Sequence, residues 1–153
     1  MSNARERLLV LEAEGKFLFH GSPLLVKELI PRQPVNFDKE TGEEEKDGDP
    51  CVAATHFVEI AIFRAITHRT QFSGRGCATS FGLTPEGNVR LEITRNAWKQ
   101  LKGKTGYVYI FSRNEFSRHS RMEWRSEHKM KPLEVIAVST EDLSKNIQVK
   151  QRI

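Results

Sequence analysis

The sequence predicts an α+β fold, and three observations support this prediction. About seven short runs of apolar or alternating residues, separated by turn residues, are typical of strands. Two or three segments carry helix signals, and they do not alternate regularly with the strands. The chain has 153 residues, 38% of them hydrophobic, which suffices for one domain with its own core over residues 1–153. We therefore expect antiparallel sheets with helices packed beside them.

The first third of the chain predicts a helix, a buried strand and a long loop. Asn3 and Glu6 have the spacing of a capping box, and Gly15 is a typical residue at the end of a helix. The mainly apolar residues 16–20 predict a short buried strand. Residues 31–50 contain three prolines, two glycines and an acidic run, so we expect a long, exposed and mobile loop there.

The rest of the chain predicts a second helix among further strands. A strand at residues 51–54 precedes Thr55, which is a good N-cap for a helix over residues 56–67. Residues 71–87 contain four glycines and are typical of a loop. The later elements, in chain order, are a strand at 89–93, a helical turn at 96–101, and strands at 106–111, 122–126, 133–138 and near 147–149.

Composition argues against several classes of protein. The two cysteines, Cys51 and Cys77, form no CxxC pair and lie at no metal-ligand spacing from histidine, which indicates reduced thiols and a cytoplasmic protein. The sequence shows no secretory signal and no apolar run long enough to cross a membrane. The net charge of +4 favours contact with nucleic acid or an anionic cofactor, although an ordinary basic surface gives the same value.

The first candidate site is the end of the strand at residues 16–20, where His20 is followed by Gly21 and Ser22. A strand would hold the imidazole rigidly, and a glycine would let a ligand approach the backbone. The alternative is a histidine at a strand end followed by an ordinary turn glycine.

The second candidate site is the small-residue segment 52–55, which ends at Thr55 and leads into the helix that carries Phe63. Small residues allow a planar ligand to come close, and an aromatic ring could stack on it. The alternative is that Phe63 belongs to the core.

The third candidate site is Glu123, which we expect to begin a strand after a loop rich in arginine. A carboxylate there could stabilise positive charge on a sugar ring, as glycosidic chemistry requires. Glu127 would face the same side of an extended strand, so either glutamate could serve. The alternative is that Glu123 pairs with neighbouring arginines on the surface.

Together these residues resemble the ADP-ribosyltransferase superfamily, in particular its poly(ADP-ribose) polymerase and diphtheria-toxin branch. That branch has a His-Gly pair on the first sheet strand, a Tyr-Phe-Ala strand end followed by a helix with a second tyrosine, and a catalytic glutamate opening a later strand. Residues 19–22, residues 52–55 with Phe63, and residues 122–126 follow the same order here. Val52 and Phe63 replace the two family tyrosines.

The resemblance implies a fold of split antiparallel sheets, with NAD as the substrate. His20 would hold a ribose hydroxyl, the Gly21 backbone would bind the carboxamide, and Phe63 would stack on the nicotinamide ring. Ser22 and Thr55 would also contact NAD. Glu123 would bind the 2′-hydroxyl of the nicotinamide ribose and stabilise the oxocarbenium ion, after which a protein or nucleic-acid acceptor would attack.

Other functions remain open at this stage. The related RNA 2′-phosphotransferases share the fold and the use of NAD. A non-catalytic module on the same fold could bind a nucleotide, ADP-ribose or RNA. The absence of both family tyrosines favours such a module. A structural or interaction protein without a small-molecule site is the third possibility. The oligomeric state does not follow from the sequence.

Overall fold

A computed structural model describes residues 3–37 and 41–153. Within these residues the chain forms three α-helices, α1 (Ala4–Glu14), α2 (Val58–Thr67) and α3 (Arg95–Trp98). The strands of the same residues are β1 (Phe17–Ser22), β2 (Val35–Phe37), β3 (Glu44–Lys46), β4 (Val52–Ala54), β5 (Thr79–Leu83), β6 (Val89–Thr94), β7 (Thr105–Ser112), β8 (Ser117–Arg118), β9 (Trp124–Ser126), β10 (Glu134–Ser139) and β11 (Gln148–Lys150). The structure confirms the α+β class.

The strands of the described residues form several small sheets, in which antiparallel pairing dominates. In the central sheet β7 lies between β1 and β10, and in a second sheet β9 lies between β4 and β8. β6 pairs antiparallel with β5 and parallel with β11, while β2 and β3 form a hairpin. A backbone bridge between Phe19 and Thr55 connects β1 to the end of β4. This bridge brings the first two candidate sites side by side.

The two faces of the central sheet pack against different layers. Because side chains alternate along a strand, Val108 and Ile110 of β7 face one side, while Tyr109 and Phe111 face the other. The first pair packs with α1 and α2 in one apolar cluster. The second pair packs with residues of β4 and with Trp124 of β9 in another cluster. The central sheet therefore separates the helices from the second sheet.

Helix α2 approaches the central sheet very closely because small residues meet there. A Cβ atom added to Gly21 of β1 would lie 1.9 Å from the carbonyl oxygen of Ala61, and one added to Gly106 of β7 would lie 2.4 Å from that of Ala65. No side chain fits at such distances, so both positions require glycine. The sequence suggested that Gly21 gives a ligand access to the backbone, whereas the structure shows that it makes room for α2.

Of the two predicted helix starts, one is observed and the other is not. Asn3 is the N-cap of α1, but its side chain makes no capping hydrogen bond. The predicted N-cap role of Thr55 is wrong, because α2 begins at Val58 and Phe57 is its N-cap. The Thr55 hydroxyl oxygen instead accepts a hydrogen bond from the Phe57 N–H at 3.1 Å. Thr55 thus orders the short link between β4 and α2.

Both regions predicted to be loops contain strands. β5 lies within residues 71–87 and pairs with β6 over five residue pairs. Within residues 31–50, β2 pairs with β3, and Arg32 forms a backbone bridge with Cys51. Residues 38–40 of this predicted mobile loop lie outside the described residues. These strands lie in segments rich in glycine or acidic residues, which give little local signal for a strand. They form because a partner strand is present, which the local sequence does not show.

Cys51 and Cys77 are free thiols, and Cys51 is buried. In the part of the chain that the structure describes, no three or more His, Cys, Asp or Glu side chains are grouped so that they could hold a metal ion. None of the helices in that part has the length and apolar character needed to span a lipid bilayer.

Candidate functional site

A narrow cleft lies where the ends of β1 and β4 meet. Its walls come from residues 19–21 and 53–55, from one side of α2, from Phe81 of β5, and from Met122 and Glu123 just before β9. The cavity volume is about 30 Å³, which is room for roughly two water molecules. A larger ligand can therefore enter only if side chains on the rim move.

His20 is a partly buried wall of this cleft, and its tautomer follows from one hydrogen bond. Its Nδ1–H donates to the carbonyl oxygen of Ala53 at 2.6 Å, which ties β1 to β4. Burial lowers the pKa of His20 from 6.5 to about 4, and the positive charges of Arg64 and Arg32 lower it further against the effect of that hydrogen bond. His20 is therefore neutral at neutral pH, and its Nε2 is a hydrogen-bond acceptor.

The other residues predicted on this side divide into two groups. Gly21 and Thr55 line the cleft with His20. The Thr55 N–H and carbonyl form the bridge with Phe19, at 2.9 and 2.8 Å. Ser22 does not line the cleft, since its hydroxyl oxygen accepts a hydrogen bond from the Leu24 N–H at 3.2 Å in the following turn. The structure thus brings His20, Gly21 and Thr55 together but not Ser22.

Glu123 lies on the opposite wall, where a tight turn fixes its backbone. Its carbonyl oxygen accepts hydrogen bonds from the N–H groups of His119 and Ser120, at 2.9 and 3.0 Å. Its own N–H donates to the Ser120 hydroxyl at 3.1 Å. The side chain is 30% exposed and forms an ion pair with Arg125. Glu123 therefore lines the cleft and also pairs with an arginine, as the alternative expected.

Only one of the two glutamates that the sequence left open lines the cleft. Glu123 precedes β9 and Glu127 follows it, so the extended segment ends at Ser126 between them. Glu127 is exposed and does not contribute to the cleft wall. Of the two glutamates, Glu123 is therefore the one that a ligand in the cleft can contact.

Arg125 connects Glu123 to the segment after β3. One terminal nitrogen of its guanidinium donates to the Asp47 backbone carbonyl at 2.7 Å, and the other pairs with the Asp47 carboxylate at 2.8 Å. The Arg125 side chain is only 14% exposed. A half-buried arginine held from both sides has little freedom, so it fixes the Glu123 carboxylate in place.

Phe63 does not occupy the place predicted for it. The residue is 1% exposed and packs with Ile60 and Leu91 in an apolar cluster between α2 and β6. It has no surface on the cleft. The expectation that Phe63 stacks on a ligand is therefore wrong, because its position on α2 turns the ring away from the cleft and toward β6.

Two residues that line the cleft, Arg64 and Phe81, were not predicted from the sequence. Arg64 is an exposed residue on α2, most of whose other residues are buried, and its guanidinium lies 5.2 Å from the centre of the Phe81 ring. A lone basic residue in an apolar helix is a signal that could have identified Arg64. No comparable signal marks Phe81, because its strand lies in a glycine-rich segment.

The cleft thus offers a neutral acceptor, an anion and a cation within a small space. His20 can accept a hydrogen bond from a hydroxyl group, Glu123 can accept hydrogen bonds and stabilise positive charge, and Arg64 can bind an anion. Phe81 supplies an aromatic face. Such a set suits a ligand that carries hydroxyl groups and charges of both signs.

Comparison with known proteins adds no further assignment. The chain matches no protein-family model, no curated protein and no solved structure.

Proposed function

We propose that this cleft binds NAD and that the protein is an ADP-ribosyltransferase-like enzyme. It would cleave the bond between nicotinamide and ribose and transfer ADP-ribose to a protein or nucleic-acid acceptor. One observation carries the proposal: His20, Gly21, Thr55 and Glu123, chosen for their resemblance to the family motifs, line one cleft although they come from three distant stretches of chain. The bridge between β1 and β4 and the pairing of β4 with β9 support the same arrangement of split sheets.

His20 and Glu123 have distinct roles in this proposal. Neutral His20 accepts a hydrogen bond from a ribose hydroxyl through Nε2, because its Nδ1–H is already bonded to Ala53. The Glu123 carboxylate accepts a hydrogen bond from the 2′-hydroxyl of the nicotinamide ribose. Both interactions hold the sugar so that its anomeric carbon is open to attack.

The reaction needs electrostatic stabilisation more than proton transfer. As the bond from the anomeric carbon to nitrogen breaks, its electron pair leaves with nicotinamide, and positive charge develops on the ribose. A fixed carboxylate nearby lowers the energy of that oxocarbenium ion. A lone pair of the acceptor then forms the new bond to the anomeric carbon, and the acceptor loses a proton. Water as the acceptor would give hydrolysis of NAD.

The experiment that tests this proposal is release of nicotinamide from NAD by the purified protein. We expect Glu123→Gln to lower the rate roughly 100-fold or more, because the amide keeps the shape but removes the charge. Glu127→Gln is the matched control, since it makes the same change at an exposed position outside the cleft. Equal rates for the wild type and Glu123→Gln, or equal losses in both variants, would overturn the catalytic assignment.

A non-catalytic module that binds ADP-ribose or RNA is the second candidate function. The observation that favours it is the small cavity, which has no aromatic partner from the two positions where the family has tyrosines. A thermal shift with ADP-ribose or a short RNA, together with no release of nicotinamide, would support this module. Stabilisation by RNA alone that declines steeply with salt would indicate binding through the basic surface.

A further inference from the structure

We propose that Arg64 binds the diphosphate of the dinucleotide, which places an anion subsite on the α2 side of the cleft. This inference rests on the proposed function, because it concerns the part of NAD away from the reacting bond. It assigns a role to a residue that the family motifs do not include.

Arg64 is a cation that forms no direct ion pair within the described residues, although burial lowers its pKa and the nearby Glu123 carboxylate acts against that lowering. Eight of the ten residues of α2 are buried, and Glu59 of the same helix pairs with Arg5. Within the described residues the Arg64 guanidinium makes no hydrogen bond and no ion pair, and its contact is with the face of Phe81. Its donors are therefore available, and a guanidinium can bind phosphate oxygens in pairs.

The two charges in the cleft wall are of the kinds that the proposed ligand carries. Arg64 and Glu123 are the two permanently charged residues among the described walls of the cleft. NAD likewise carries a positive nicotinamide ring at one end and a negative diphosphate in its middle. With Glu123 at the sugar that becomes cationic, Arg64 is the group left to meet the diphosphate. The reverse orientation would place the diphosphate beside a carboxylate.

The contact with Phe81 explains how a narrow cleft could admit such a ligand. The Arg64 guanidinium rests against the Phe81 ring and near the Glu123 carboxylate without a hydrogen bond to either, so a change of rotamer breaks no hydrogen bond. When the diphosphate draws the guanidinium away, the face of Phe81 becomes free and the cleft widens. Arg64 therefore covers the cleft without ligand and binds the ligand once it enters.

Titration of the purified full-length chain with three ligands tests this inference. NAD and ADP-ribose both contain the diphosphate, whereas nicotinamide riboside contains none. We expect Arg64→Gln to raise the Kd for NAD and ADP-ribose roughly 10- to 100-fold. We expect the Kd for nicotinamide riboside to stay within roughly twofold. Raising the salt concentration should weaken NAD binding less in Arg64→Gln than in the wild type.

Arg69→Gln is the matched control, because Arg69 is exposed, lies just beyond α2 and does not line the cleft. It removes the same charge and should leave all three Kd values nearly unchanged. Both substitutions are at exposed positions, so a melting temperature close to that of the wild type will confirm that each variant folds.

The outcomes separate this inference from the proposed function. Equal NAD affinity in the wild type and Arg64→Gln, or an equal loss for nicotinamide riboside, would overturn the inference and leave the enzyme proposal intact. Arg64-dependent binding of ADP-ribose without any nicotinamide release would support the inference and overturn the enzyme proposal. A wild type that binds none of the three ligands would overturn both.

Discussion

The close approach of α2 to the central sheet leads to a prediction about Gly21. In Gly21→Ala the new Cβ would lie 1.9 Å from the Ala61 carbonyl oxygen and 2.8 Å from the Ala65 backbone nitrogen. Both atoms belong to the helix backbone, so no side-chain rotation can relieve the contact. The helix has to move away from β1.

The size of this movement sets the expected cost. Contacts of a Cβ atom below 3.0 Å are essentially never seen, so α2 must retreat by roughly 1.1 Å at Ala61. That displacement opens gaps in the apolar cluster formed with Phe19 and Ile62. Overpacking of this kind costs typically 1–3 kcal/mol and sometimes more, and because backbone blocks the space we expect a loss of about 3 kcal/mol in the free energy of unfolding.

Urea unfolding measures this loss, and two other strand glycines serve as references. Gly106→Ala should lose a similar amount, because its Cβ would lie 2.4 Å from the Ala65 carbonyl oxygen, although it is outside the cleft. Gly82→Ala should lose less than roughly 1 kcal/mol, because its Cβ would meet only the flexible end of Arg90 at 2.7 Å. A Gly21→Ala protein within about 1 kcal/mol of the wild type would refute the packing argument and restore ligand access as the reason for glycine.

Two further predictions concern hydrogen bonds near the cleft. Because the pKa of His20 is lowered from 6.5 to about 4, the unfolded state binds a proton before the folded state does. The free energy of unfolding of the wild type, minus that of His20→Asn, should thus be constant above pH 6.5 and fall by roughly 3 kcal/mol as the pH drops to 4. Urea unfolding at several pH values measures this difference, and a difference that does not change with pH would contradict the lowered pKa. Tyr109→Phe should lower the free energy of unfolding by about 1–2 kcal/mol, because the Tyr109 hydroxyl accepts a hydrogen bond from the Val26 N–H at 2.8 Å and donates one to the Leu24 carbonyl at 2.5 Å. These bonds hold the segment after β1, so a rate of proteolysis between residues 22 and 30 equal to that of the wild type would count against this role.

The elements that the sequence predicted well are those with a strong local signal. α1, β1, α2, β7 and β10 were all predicted near their observed positions, because each has an apolar run or a helical period long enough to detect. β5 escaped detection because Gly82 and two hydroxyl residues weaken its pattern, and β8 is only two residues long. These strands form because β6 and β9 offer partners, which is information that a local window does not contain.

The site shows the same division between local and distant information. The spacing of short motifs identified His20, Thr55 and Glu123, which lie at or beside strand ends, where positions relative to the sheet are well defined. The motif spacing predicted the wrong position for Phe63, because the side of α2 that faces the cleft depends on how the helix packs over Gly21. Arg64 and Phe81 required the packed structure, since neither belongs to a motif.

The ion pair between Glu123 and Arg125 raises the question of whether enough negative charge remains in the cleft for the proposed chemistry. Arg125 also pairs with Asp47, so one guanidinium is shared by two carboxylates. The three groups together carry a net charge of −1, and Arg64 of the same cleft, on which the Glu123 carboxylate acts, is the cation that a bound diphosphate would offset in the proposed chemistry. Asp47 therefore does more than hold the segment after β3 to β9. By occupying part of the Arg125 charge, it allows the same arginine to fix the position of Glu123 without fully neutralising it.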